Sequence, residues 1–171
     1  MKYLDKKEGS VFFIPLFLPK NIKDNNKSYY RYKFDKEELY AFGRLIDDGE
    51  GSGDLIEIFN YTGIIPDDVN VIIDSGLMFK PLHIAQGFKK KRYRFIFEDN
   101  NYDKNIDSNY QDIGFVLGGY LWKGGKKDRD LTESEMDEYL KYYNSMRIYA
   151  PTQLEEKIIE KCCPAYKDQY Q

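Results

Sequence analysis

Residues 40–61, YAFGRLIDDGEGSGDLIEIFNY, decide the fold. Residues 40–46 are rich in aromatic and aliphatic side chains, residues 48–53 are almost all turn formers, and residues 55–61 are apolar again. Two such runs about a turn-forming centre predict a β-hairpin with a long loop. Apolar side chains occupy both alternating faces of the second strand, with Leu55, Phe59 and Tyr61 on one and Ile56 and Ile58 on the other. That pattern belongs to a strand covered on both sides, so the hairpin is expected at the centre of a sheet.

The chain of 171 residues suffices for one domain with a sizeable core and needs no disulfide or metal to hold it. The expectation is a single domain over 1–171, with a β-rich core over 1–128 and a helical part over 129–171. There are 16 Tyr and 11 Phe but 1 Trp, a composition that favours strands and a Phe/Tyr core. A net charge of -3 excludes bulk electrostatic attraction to nucleic acid. The 2 cysteines, Cys162 and Cys163, are adjacent and fit neither a disulfide framework nor a zinc pattern, which points to a reducing compartment. No apolar segment approaches the length of a membrane span, and the opening run is interrupted by Asp5, Glu8 and Pro15. A cytoplasmic location with no membrane partner is the resulting expectation.

Outward from the hairpin, residues 11–18 form a first strand, placed at an edge or bulge because Pro15 lacks a ladder donor. Residues 19–33, dominated by Asn, Lys, Asp and Tyr, read as a mobile surface insertion tolerant of change. Residues 34–39 have a rival reading as a helical turn capped by Asp35, and residues 69–73 fit either a strand or a short helix. Residues 93–97, YRFIF, have strong strand composition, and residues 113–122 suggest a strand that bulges or turns at Gly118 and Gly119. Thr132 with Glu135 forms a capping box for a helix whose Met136, Tyr139, Leu140 and Tyr143 share a face. Thr152 with Glu155 repeats the signature before a stripe of Leu154, Ile158 and Ile159. The fold class is therefore α+β, mainly β: a twisted antiparallel sheet or partly open β-barrel with two C-terminal helices packed on it.

No enzyme signature emerges. The loop GEGSG (residues 49–53) lacks a following Lys-Ser/Thr pair and a helix, and its acidic neighbours would repel phosphate. Nor do those carboxylates follow the spacing of a calcium loop. Most acidic loops are simply solvated. Asp47, Asp48, Glu50 and Asp54 nevertheless form an acidic lobe on a rigid hairpin that could meet a basic partner surface. His83, the sole histidine, excludes systems that need a second imidazole and reads as structural. Cys162 and Cys163 fit half-buried packing better than catalysis. No metal site or cofactor is expected. The one basic run, residues 89–97 (KKKRYRFIF), interleaves aromatics as a single-strand nucleic-acid platform would, through Lys89, Lys90, Lys91, Arg92 and Tyr93. Its plainer reading is a charged turn that keeps a strand edge from pairing with other chains, since the neighbourhood is not otherwise basic.

The order of these pieces resembles the immunity protein 26 family of bacterial polymorphic toxin systems. Gly9, Val11, Ile14, Pro15 and Leu16 match its opening strand, and Tyr40, Gly43 and Leu45 match the next. The likeness covers roughly the first two-thirds of the chain; Tyr93 stands where the family has Trp, residues 21–33 lengthen the first connection, and the C-terminal helices lie outside it. The resemblance implies a non-enzymatic protein that binds and neutralises a cognate protein toxin. Asp47, Asp48, Glu50 and Asp54 would be its binding lobe, as acidic surfaces often are against nuclease toxins. The alternative, from the residues themselves, is a small nucleic-acid-binding barrel.

Overall fold

The computed structural model describes residues 1–49 and 52–164. The chain divides into two compact units, Met1–Asn101 joined by the stretch from Ile148 onward, and Tyr102–Arg147. The class is α+β and mainly β, as the residue patterns require.

The first unit is built on β1 (Val11–Pro15), β2 (Tyr40–Asp47), β3 (Asp54–Gly63), β4 (Leu82–Ile84), β5 (Arg94–Phe97) and β10 (Ile148–Tyr149). They are ordered β10-β4-β3-β2-β1-β5, so the β2–β3 hairpin is central as its two-sided apolarity demands. All pairs are antiparallel except the edge strand β10, which runs parallel to β4. On one face Phe12, Ile14, Leu45, Ile56 and Ile58 form a core with Leu154, Ile158 and Ile159 of α4 (Pro151–Cys162). On the other, Phe13, Tyr40, Phe42 and Phe59 pack with Tyr29, Phe34, Ile65 and Ile72.

Pro15 is accommodated differently from expectation. The strand β1 lies between β2 and β5 rather than at an edge. Its pairing with β5 ends at Phe13, so Pro15 lies past the last ladder position on that side and its missing N–H costs no bond there. The register shift in this pairing falls between Val11 and Phe12, away from Pro15. Residues 69–73 resolve as a short helix, α1 (Asn70–Ile73), entered through an Asx turn in which Asn70 N–H donates to Asp68 Oδ1 at 2.9 Å. Asp35 makes a similar turn, accepting from Glu37 N–H at 3.1 Å, but no helix follows.

Gly43 is set by close approach. A Cβ there would lie 2.6 Å from Phe12 Cζ and 2.7 Å from the Glu57 carbonyl oxygen, and the backbone neighbour cannot yield. Gly43→Ala is expected to destabilise the first unit by about 2 kcal/mol through overpacking, read as a lower urea midpoint with unchanged slope. A midpoint equal to the wild type would show that Phe12 repacks freely.

The second unit carries α2 (Lys104–Asp107), β6 (Gly114–Leu117), β7 (Tyr120–Lys123), β8 (Lys126–Asp130), α3 (Glu133–Tyr139) and β9 (Asn144–Ser145), with its strands ordered β8-β7-β6-β9. Residues 113–122 are thus two strands, turned at Gly118, whose φ of +57° suits glycine. The strand β8, KKDRD, is exposed throughout. Helix α3 starts at the Thr132–Glu135 capping box and packs Met136 and Tyr139 on Val116, Leu121 and Leu131. The two C-terminal helices therefore serve different units, α3 the second and α4 the first.

Candidate partner-binding site

Of the acidic lobe, Asp47 is the last residue of β2, Asp48 follows it, and Asp54 is the first residue of β3, the two central strands. Asp48 is exposed, Asp47 and Asp54 are half-buried, and Glu50 lies outside the described residues. Lys6 bridges two of them, with Nζ 2.8 Å from Asp48 Oδ1 and 2.6 Å from Asp54 Oδ1. Burial pushes the Asp54 carboxyl above its ordinary range, and the Lys6 ammonium opposes it. The Asp48 N–H donates to Glu8 Oε1 at 3.4 Å, so the loop is tied to the N-terminal segment at more than one point. Burial lowers the pKa of His83, and the Asp47 carboxylate acts against that lowering. The lobe is thus acidic but partly offset, which the residue order alone did not show.

The basic run splits into two parts. Lys89 and Lys91 are exposed and Lys90 is partly so, whereas Arg92 and Tyr93 are 0% and 1% exposed. Tyr93 stacks at 6.1 Å from Phe12 and donates its hydroxyl to the Pro151 carbonyl oxygen at 2.9 Å. A base cannot stack on a ring inside the core, so the nucleic-acid face read from the sequence loses Arg92 and Tyr93. The physical reason is a turn at Lys91, which has φ of +57°, after which the chain enters the core.

Arg92 finds its partner on α4. Its Nε and Nη2 donate to the two carboxylate oxygens of Glu155, both at 2.6 Å, and Glu155 is 0% exposed. Nη1 donates to the Tyr29 hydroxyl at 2.7 Å and Nη2 to the Pro19 carbonyl at 2.8 Å, while Lys20 Nζ stands 3.4 Å from Glu155. Burial pushes the Glu155 carboxyl upward and the two cations pull it back; the paired short bonds mark it as a carboxylate. Glu155 is therefore a buried counter-ion, not a capping residue. Helix α4 begins at Pro151, and the Gln153 side chain accepts the Ala150 N–H at 3.0 Å. Ala150 has no side-chain acceptor, and Asn25 Oδ1 accepts the Thr152 N–H at 3.0 Å instead. Residues 19–33 are thus anchored through Asn25 and Tyr29, contrary to the expectation of a mobile insertion.

A second buried pair, Arg44–Glu57, joins β2 to β3 at 2.6 Å on opposite residues of the register. Cys162 and Cys163 are both half-buried with Sγ atoms 3.1 Å apart, and burial pushes the Cys162 thiol up to about 12, away from thiolate reactivity. Among the described residues, no group of three or more His, Cys, Asp or Glu converges as metal ligands.

Sheet order, covered hairpin and paired charges define a small mainly β protein with acidic residues at the adjoining ends of its central strands. The family model for immunity protein 26 matches residues 7–120, and the chain belongs to that family. No curated protein and no solved structure matches it. The matched span contains β1 to β6 and Arg92; Glu155 and α4 lie beyond it, so the buried ion pair joins a matched residue to an unmatched one.

Proposed function

We propose that this protein binds and neutralises a cognate toxin of a bacterial polymorphic toxin system in the cytoplasm of the producing cell, acting by occupation of the toxin and not by catalysis. Membership of the immunity protein 26 family carries the reading. The acidic lobe of Asp47, Asp48, Glu50 and Asp54 is the surface we assign to a basic toxin face, because charge held on rigid central strands accelerates encounter at little ordering cost. No helix of the described residues is long and apolar enough to cross a membrane.

The test is co-expression with the modular products encoded beside it, followed by native mass spectrometry. A one-to-one complex with a neighbour whose C-terminal domain stops growth unless this protein is present is the expected result; no complex with any neighbour overturns the reading. Within such a complex, Asp47→Asn, Asp48→Asn and Glu50→Gln together are expected to slow association at low salt roughly tenfold, with dissociation little changed. Amides keep an acceptor for Lys6, so folding is preserved. An unaltered association rate removes the lobe from the interface.

A further inference from the structure

Beside the lobe, on the same unit, lies a cleft of about 220 Å³ whose walls include Tyr3, Asp5, Lys6, Tyr30, Lys91 and Arg94. Three cations and one carboxylate line it, and of the cations Lys6 is already paired with Asp48 and Asp54. Arg94 is held by neutral acceptors alone: Nε donates to the Lys91 carbonyl at 3.1 Å and Nη2 to the carbonyls of Tyr29, Tyr30 and Tyr32 at 2.5, 3.3 and 3.2 Å. Its guanidinium lies 4.4 Å above the Tyr3 ring, and Nη1 makes no hydrogen bond among the described residues. The Phe34 ring lies 5.1 Å from the same guanidinium, so the fork is fixed in place, with no ion-pair partner among the described residues and one nitrogen still able to donate. Lys91, exposed at its left-handed turn, adds a second such charge without an ion-pair partner among the described residues.

We infer that this cleft receives a carboxylate side chain of the protein partner, an Asp or Glu that Arg94 and Lys91 clamp while Tyr30 closes over it. The inference rests on the proposed immunity function and adds a second point of contact of opposite sign to the lobe. Size supports a side chain: the cleft falls below the roughly 300–1,000 Å³ of typical small-molecule sites and holds about seven waters' worth of volume. The rim supports a protein: Tyr30 is 73% exposed and Tyr32 40% exposed, and Tyr and Arg are the residues that most often anchor interfaces. Lys6 joins the two features, since it lines the cleft while holding Asp48 and Asp54.

The experiment measures binding of the full chain to the isolated C-terminal domain of the neighbouring modular product by biolayer interferometry. Arg94 is left untouched because it also anchors residues 29–32. Lys91→Glu and Tyr30→Ala are each expected to weaken binding at least roughly tenfold, mainly through faster dissociation, and Lys91→Arg to retain it. Lys89→Glu makes the same charge change two residues away, outside the cleft lining, and is expected to stay within about twofold of wild type. Lys91→Glu and Tyr30→Ala binding like wild type overturns the cleft and leaves the immunity reading standing, as does an equal loss from Lys89→Glu and Lys91→Glu, which would mean long-range electrostatics alone. A wild-type protein that binds no neighbour overturns both.

Discussion

Glu155→Ala is expected to cost about 3–5 kcal/mol and to leave little folded first unit at body temperature. The substitution removes the carboxylate that lies 2.6 Å from Arg92, which is 0% exposed, and 3.4 Å from Lys20, whose side chain is 6% exposed. Arg92 would keep its bonds to the Tyr29 hydroxyl and the Pro19 carbonyl, but neither carries the compensating charge. Glu155→Gln, which retains an acceptor without the charge, should fall between. Replacing Arg92 and Glu155 together by Met should recover part of the loss, because that pair then needs no desolvation, while Lys20 still loses the carboxylate 3.4 Å away. Urea titration followed by circular dichroism reads all three, and a Glu155→Ala midpoint equal to the wild type would show that water or another carboxylate reaches Arg92.

Tyr29→Ala should come next, at about 3–5 kcal/mol, the range for emptying a buried aromatic site. The side chain is 1% exposed, sits under the Arg92 guanidinium at 5.0 Å, meets Tyr32 edge to face at 5.8 Å, and accepts the Arg92 bond. Its loss would open a cavity, remove a partner of a buried cation and loosen the segment whose Asn25 caps α4. Tyr30→Ala, one residue on and 73% exposed, is expected to change stability by less than about 0.5 kcal/mol. The contrast between these neighbours measures the anchoring: equal, small effects would mean that residues 19–33 are the loose insertion their composition suggests. Tyr29→Phe isolates the hydroxyl, whose loss should cost about 1–2 kcal/mol.

How far the residues alone reach depends on whether the decisive interaction is periodic or long-range. The hairpin was legible because burial on both faces of a strand writes itself into alternating apolar side chains, and Ile56 and Ile58 do face one core while Phe59 and Tyr61 face the other. The stripe of Leu154, Ile158 and Ile159 and the Thr132–Glu135 box were legible for the same reason, since each pattern spans a few residues on one element. Strand β8 was not, because KKDRD has no buried side to leave a period.

The candidate site divides along the same line. Asp47, Asp48, Glu50 and Asp54 are close in sequence because they share one loop, so the lobe could be read; its offset by Lys6, some forty residues earlier, could not. Residues 89–93 looked like one basic-aromatic face, yet a single left-handed residue, Lys91, sends Lys89 to solvent and Arg92 to Glu155, 63 positions away. Composition marks a charge as costly to bury but is silent on whether a distant partner meets it. The sequence by itself determined the mainly β class, the central hairpin, both long helices and the family. Only the tertiary structure decided which charges are interior, that residues 19–33 are anchored, and that Arg94 lines a cleft, because each of these depends on contacts between segments that no local pattern encodes.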